Sequence, residues 1–436
     1  MHDRRSIASV LMGLCFCLGS RYAISQDAIP PNPEPRWFKG NLHTHSLWSD
    51  GNDYPEMIAE WYRSHDYHFL AISDHNILSE GEKWIAVAEA NKRGDIGGLK
   101  RYRERFGDDW VETREGPKGT EVRLKPLEEF RSLVEEPGRF LLISAEEITD
   151  SFQDIPIHVN ATNLRDLIQP QGGKSVRETI ENNFQAVERQ SKRTRRPMLA
   201  HVNHPNFYYG ITAEDLAAVV DERFFEVYNG HPEVHHQGDE KHASVERLWD
   251  IALTLRLGEM KAAPLFGIAV DDTHNYFGNR GASPGRGWIM VRAKHLTAES
   301  LLAAMKQGDF YASSGVTLRD VRFLAESGVL EIDIDAREGE SYATQFIGTC
   351  KGYDPSHTPV TDEQGKPLRA TQKYSDDIGR VLATVEGPSA HYKLTGDELY
   401  VRAVVTSNKP PENPAFEGQR QQAWTQPVGW EQAIGP

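Results

Sequence analysis

Seven times between Trp37 and His274 a short apolar run breaks off at histidine, aspartate or glutamate or their polar neighbours: WFKGNLHTH, YHFLAISDHN, FLLISAEEIT, IPIHVNATN, MLAHVNHPN, FFEVYNG and PLFGIAVDDTH. Runs of this length, rich in Ile, Val, Leu and Phe and bounded by polar turns, suit strands buried on both faces, the habit of parallel sheets. Helical patterns fill several of the gaps. YPEMIAEWYRSH follows the first run, with Asn52 or Asp53 as its expected cap and Pro55 in its first turn. VRETIENNFQAVERQSKR precedes the fifth run and AEDLAAVVDE the sixth. Alternating strands and helices imply βα units in an α/β fold, and seven such units close into a barrel more naturally than they lie flat. In barrels of this kind the chemistry collects at the C-terminal ends of the strands, where these polar residues stand.

Two regions break the rhythm. Residues 91–137 are dense in charge and carry Gly97-Gly98 and Gly116-Pro117-Lys118-Gly119, which predicts a surface insertion with a hairpin between WVET and EVRL. After Gly315 come short alternating stretches, TLRDVRFL, GVLEIDID, RVLATVEG and LYVRAVVTS, which predict a small all-β C-terminal domain over 316–436. Its end, from Pro410, reads as loop or tail packing back on the body. The barrel body is expected over 37–315.

At the other end, Arg4 and Arg5 precede the apolar stretch Ile7 to Leu18, and Ala23 and Ser25 stand at -3 and -1 relative to Gln26. That is the layout of a secretory signal peptide over 1–25, followed by a proline-rich linker over 26–36, and it predicts a secreted or periplasmic protein. The apolar stretch is too short to span a bilayer comfortably, so no stable membrane span is expected after its removal. Removal takes away Arg4, Arg5, Arg21 and Asp3 and moves the formal charge from -15 to -17. Cys350 then remains alone, so no internal disulfide is expected. The acidic balance argues against nonspecific nucleic-acid binding. A hydrophobic fraction of 39% with a mean hydropathy of -0.57 excludes a polytopic membrane protein and a mainly disordered chain.

Neither solubility nor core packing requires 17 histidines. His43 and His45 are two apart in a strand pattern, so their side chains share a face while Leu42 and Thr44 point the other way. Two imidazoles on one face can grip a divalent ion. Later runs add Asp50 in SDG, Asp74 and His75 in SDHN, Glu146 and Glu147 in SAEEIT, and His158 in IHVN. They continue with His201 and His204 in AHVNHP, and Asp271, Asp272 and His274 in DDTH. A chance distribution would not keep choosing strand ends.

As a set and in this order, HTHSLWSDG, SDH, the late HP and the final DTH resemble the PHP (polymerase and histidinol phosphatase) superfamily of metal-dependent hydrolases. DDTH followed by GRGWIMVRAKHLTAESLLAAMKQGDFYASSGV and a β region is similar to its secreted branch of carbamate hydrolases. The resemblance covers roughly 37–315 and implies a distorted seven-stranded (β/α) barrel holding two or three divalent ions, zinc, manganese or iron. It implies that His43 and His45, completed by Asp272, hold the first metal. Glu147 resembles the carboxylate bridging two metals, because ISAEEI fits a small residue, any residue, then glutamate. His158 and His204 resemble the second-metal ligands, and Asp50, His75 and His274 a third site. Asp50 stands near where some members use histidine, and Ala145 replaces the usual glycine. The implied activity is hydrolysis by metal-bound hydroxide, with Glu147, Asp272 and His204 as the catalytic set.

Six neutral histidines and three carboxylates with three divalent ions leave about +3, which favours a small anionic substrate such as a phosphoester. Carbamate, amide or carboxylic ester hydrolysis on the same fold is the alternative, and a noncatalytic binding protein with structural metals is a third reading. Oligomeric state stays open. Of the remaining residues, Asp74 either orients His75 or caps a turn, and His201 reads as a core histidine. Glu226 and Asn229 either line the cleft or hydrogen-bond structurally. His231, His235, His236 and His242 share a polar loop and read as solvent-exposed or as binding adventitious metal, rather than as catalytic. Arg280 and Arg286 border NRGASPGRG and are candidates to contact an anionic substrate. No GK[ST] follows those glycines and no G-x-S-x-G elbow is present, which argues against a phosphate loop and a serine hydrolase.

Overall fold

The first apolar run folds as β1 (Arg36–Asn41), and Pro55 sets the first turn of α1 (Pro55–Ser64). Tyr54, rather than Asn52 or Asp53, stands at the cap of α1. The Asp53 carboxylate instead accepts the Tyr54 amide at 2.9 Å. This computed structural model describes residues 32–94, 96–221, 223–277 and 281–435. The signal segment 1–25, the first part of the 26–36 linker and Arg280 lie outside the described residues.

The later runs form β2 (Phe69–Ile72), β3 (Leu141–Phe152), β4 (Ile155–Thr162), β5 (Leu199–Val202), β6 (Phe224–Asn229) and β7 (Phe266–Val270). Between them lie α2 (Val176–Thr194), α3 (Ala213–Ala218) and α4 (Val245–Thr254). Hydrogen bonding orders the strands β7-β6-β5-β4-β3-β2-β1. β1–β2, β2–β3, β5–β6 and β6–β7 pair parallel. β4 departs from the parallel expectation, running antiparallel to both β3 and β5. The cause is local: β3 runs twelve residues and turns back through Gln153 and Asp154, with Gln153 at φ 54°, so a hairpin replaces the helical crossover. Burial on both faces marks a strand but not its direction.

The ladder is not a ring, because β7 is its edge while β1 also pairs antiparallel with β8 (Trp288–Ala293), and β8 with β9 (Phe310–Ser313). Just beyond β1 and β7, however, Thr44 and Thr273 form an isolated parallel bridge. There the His45 amide donates to the Thr273 carbonyl and the Asp272 amide to the His43 carbonyl, both at 2.9 Å. Phe38, Phe69, Ile143, Phe224, Ile268 and Ile289 pack into one buried cluster beneath this junction. It fixes the strand ends as a rigid floor.

From Lys83 to Val134 a three-stranded sheet and short helices interrupt the series. Thr113–Gly116 and Gly119–Leu124 form the hairpin, and Lys83–Ala86 adds a third strand from ahead of residue 91. Residues 316–435 are rich in strands, and several continue the main sheet outward from β9 in the order Gln422–Thr425, Glu398–Ser407, Tyr342–Cys350, Arg380–Glu386. The tail read as loop thus contributes a strand and a final helical turn, Glu431–Ile434. A short QAWT segment between prolines and glycines carries too little pattern to show it.

Candidate metal centre

His43 and His45 lie just past the last ladder pair of β1 and face the same side, with Leu42 and Thr44 buried opposite. Their Nε2 atoms are 3.1 Å apart. Each lies 3.2 Å from Glu147 Oε2 and 3.2 Å from Asp272 Oδ1. Neighbouring donors on one ion with bonds of about 2.0–2.1 Å are separated by about 3.0–3.3 Å. The four side chains are therefore spaced as donors around one cation. Asp272 adopts a left-handed backbone, φ 50°, which Asp tolerates better than most residues.

Strand alternation on β3 sends Glu147 into this cluster and Glu146 to the opposite face, where Glu146 Oε1 accepts the Ile168 amide at 2.7 Å. The second oxygen of Glu147 meets another set. Oε1 is 2.8 Å from His158 Nδ1, 3.7 Å from His204 Nε2 and accepts Asn203 Nδ2 at 2.8 Å. Buried His158 Nδ1 makes no hydrogen bond despite that approach, and neither does His45 Nδ1. A buried imidazole nitrogen beside a carboxylate but without a hydrogen bond fits a divalent ion.

The third group is more open. Asp50, half exposed, lies 3.4 Å from His75 Nε2, 3.4 Å from His274 Nε2 and 3.6 Å from His45 Nδ1. Gly51 permits the turn, since a Cβ there would stand 2.5 Å from the His45 carbonyl. His75 Nδ1 faces inward, 3.1 Å from Glu147 Oε2 and 2.5 Å from Thr149 Oγ1. His75 thus touches two groups, a link that spacing alone did not show. All nine residues singled out for metal binding, His43, His45, Asp50, His75, Glu147, His158, His204, Asp272 and His274, meet in this continuous cluster.

Electrostatics binds the set together. Burial pushes the Glu147 and Asp272 carboxyls up, but the surrounding imidazoles outweigh it and hold both well below the usual range. Burial pulls His75 down, but Glu147 and Asp50 outweigh it and raise it to about 9. Burial pushes Glu226 up, yet His43 and His201 bring it down to about 2.

Glu226 is the residue sequence reasoning left undecided, and it lies beneath the cluster. Its Oε1 accepts His43 Nδ1 at 2.7 Å and His201 Nε2 at 3.2 Å. Its Oε2 accepts the His204 amide at 2.7 Å and Asn229 Nδ2 at 2.8 Å. Asn229 Nδ2 also reaches Asp272 Oδ2 at 3.0 Å. One carboxylate therefore sets the His43 ring and braces two other candidate ligands. Its only sequence signal was a glutamate inside the apolar run FFEVYN. Asp74 turns away from His75: it accepts the Ser46 and Ser49 amides at 2.8 and 3.0 Å and pins the turn leading to Asp50.

Arg286 departs from its expected role as an anion contact. Its buried guanidinium donates to the carbonyls of Gly230 and Gly281 and to Asn413 Oδ1. The polar histidine loop follows the solvent-exposed reading only in part: His235 is exposed. His236 is buried, donating to the Asn229 carbonyl at 2.7 Å, and His231 packs against His274 at the mouth, centroids 5.6 Å apart. His235 and His242 flank Tyr209.

No protein-family model matches the chain, and no curated protein matches it. Among solved structures, it is similar to a two-domain protein from Bacteroides vulgatus ATCC 8482 containing a predicted PHP-like metal-dependent phosphoesterase. That likeness has a TM-score of 0.38 and 14% identity over 92% of this chain and 97% of the other. It is also similar to a candidate metal-dependent phosphoesterase from Bifidobacterium adolescentis ATCC 15703, with a TM-score of 0.27 and 14% identity over 58% of this chain and 94% of the other.

Proposed function

We propose that the chain is a metal-dependent phosphoesterase of PHP type, built on a distorted seven-stranded barrel whose ends join at Thr44 and Thr273. The carrying observation is that one buried carboxylate, Glu147, turns one oxygen to His43 and His45 and the other to His158 and His204. This is the arrangement of a bridging ligand between two ions. Divalent ions held by these residues would polarise the scissile ester and lower the pKa of a bound water.

The protein's own part is to hold this geometry. Glu226 keeps the Nδ1 proton on His43, so that Nε2 presents its lone pair. His75, His274 and Asp50 form an open rim beside Glu147 that can hold a further ion. Counting Glu226, four carboxylates bring -4 against about +6 from three divalent ions, and the surplus of about +2 attracts a phosphoester anion. Arg4, Arg5 and the apolar segment after them support export, and the acidic surface supports a small-molecule substrate.

The test is turnover of an aryl phosphate and an aryl carbamate by metal-loaded protein, with Glu147→Gln alongside. Phosphate release by the wild type, lost with bound metal in the variant, is the expected result. Carbamate hydrolysis alone would favour the ester and carbamate reading, and metal without either activity would favour a binding protein. Full activity in a metal-free Glu147→Gln protein would refute the assignment.

A further inference from the structure

An open cleft of about 510 Å³ begins at His158 and runs between the β3–β4 hairpin and the turn that follows His204. Its far wall is aromatic. Phe207 packs against His204, centroids 4.9 Å apart, and Tyr208 against Phe207 at 4.5 Å. Tyr208 is 67% exposed, although a ring of that size gains by burial. Its backbone is left-handed, φ 49°, as is that of Tyr209, φ 53°. Consecutive left-handed tyrosines are costly, and the turn is held by Phe207 donating to the His204 carbonyl at 2.8 Å and Gly210 to the Phe207 carbonyl at 3.1 Å. The opposite wall carries Asp150 and exposed Asp154, and among the described residues neither lysine nor arginine lines the cleft.

We propose that this cleft binds the leaving group of the substrate, and that the group is a flat aryl ring without negative charge. The inference rests on the phosphoesterase reading of the adjoining metal centre. Water adds to phosphorus, the bond from phosphorus to the aryl oxygen breaks, and that oxygen leaves as the phenol, giving inorganic phosphate. With the phosphoryl group at Glu147 and His158, the ring extends outward along Phe207 and Tyr208. A carboxylate on the ring is disfavoured by Asp154, whereas a neutral or cationic substituent is accepted. Phe207 and Tyr208 supply offset or edge contacts to the ring, the interaction aromatic pairs favour over alkyl groups.

The experiment uses the metal-loaded full chain and measures phosphate released from phenyl, methyl and 4-carboxyphenyl phosphate. Tyr208→Ala is expected to raise KM for phenyl phosphate about threefold to tenfold, lowering the phenyl-to-methyl ratio of kcat/KM by a similar factor. Asp154→Lys is expected to raise kcat/KM for 4-carboxyphenyl relative to phenyl phosphate by about tenfold. Both ratios staying within twofold of wild type, in variants retaining wild-type metal content, would overturn the cleft assignment while leaving the phosphoesterase reading intact. A metal-loaded wild type that cleaves none of the three esters would overturn both.

Discussion

Glu146 and Glu147 are adjacent on β3, and their opposite surroundings yield a quantitative expectation for Glu146→Gln. Glu146 is fully buried, with Oε1 satisfied by the Ile168 amide and Oε2 without a partner. Burial raises its pKa from 4.5 to about 8. The unfolded chain releases this proton near the ordinary value and the folded chain near 8. Between those values the folded state holds more protons, and stability falls as pH rises. At about 1.36 kcal/mol per pH unit, the loss by pH 7 has a ceiling of about 3 kcal/mol. Glutamine keeps the acceptor for Ile168 and stays neutral at every pH. Its unpartnered NH2 replaces an equally unpartnered O–H, so that cost largely cancels. Glu146→Gln should therefore match wild type near pH 4.5 and exceed it by about 1–3 kcal/mol at pH 7, widening toward pH 8. Urea unfolding of both proteins at matched saturating metal, from pH 5 to 8, measures this as a difference in which shared metal linkage drops out. A difference that stays flat across that range, or turns against glutamine as pH rises, would show that Glu146 does not hold a proton in the folded chain. Metal content should be unchanged, because Glu146 faces away from the cluster.

Other outcomes follow from the same contacts. Glu226→Gln removes the charge beneath His43 and leaves one acceptor oxygen where two serve, and should weaken metal binding about 10–100-fold without unfolding the chain, as read by competition with a chelator. Asp250 lies on α4 and grips buried Arg402 with both oxygens, at 2.8 and 2.7 Å. Asp250→Asn should cost about 3 kcal/mol in urea unfolding, because it leaves the buried guanidinium only Glu246, at 3.3 Å, as a carboxylate partner. Protons compete with metal at His75, raised to about 9, so apparent metal affinity should rise with pH up to that value. A chelator titration at pH 6, 7, 8 and 9 checks it, and a flat profile would count against His75 as a ligand.

The strand-end rhythm exposed the ligand candidates because alternation has period two: His43 and His45 share a face, and Glu147 and Glu146 cannot. What stayed hidden depends on three-dimensional approach. Glu226 acts through His43, 183 positions earlier, and nothing near FFEVYN signals that pairing. Asp74 adjoins His75 in the chain yet serves the 46–49 turn, so sequence adjacency was a poor guide to contact. Arg286 beside a glycine-rich loop suggested anion binding, but three loop acceptors take its guanidinium. The reversed direction of β4 was equally silent, since a two-residue connection and an apolar run do not say which neighbour a strand will join.

Anomalous diffraction from crystals grown with zinc or manganese tests the proposed two-ion role of Glu147. Two peaks flanking Glu147 are expected, one among His43, His45 and Asp272 and the other beside His158 and His204. Anomalous density that leaves Glu147 untouched, or a single ion confined to Asp50, His75 and His274, would contradict it.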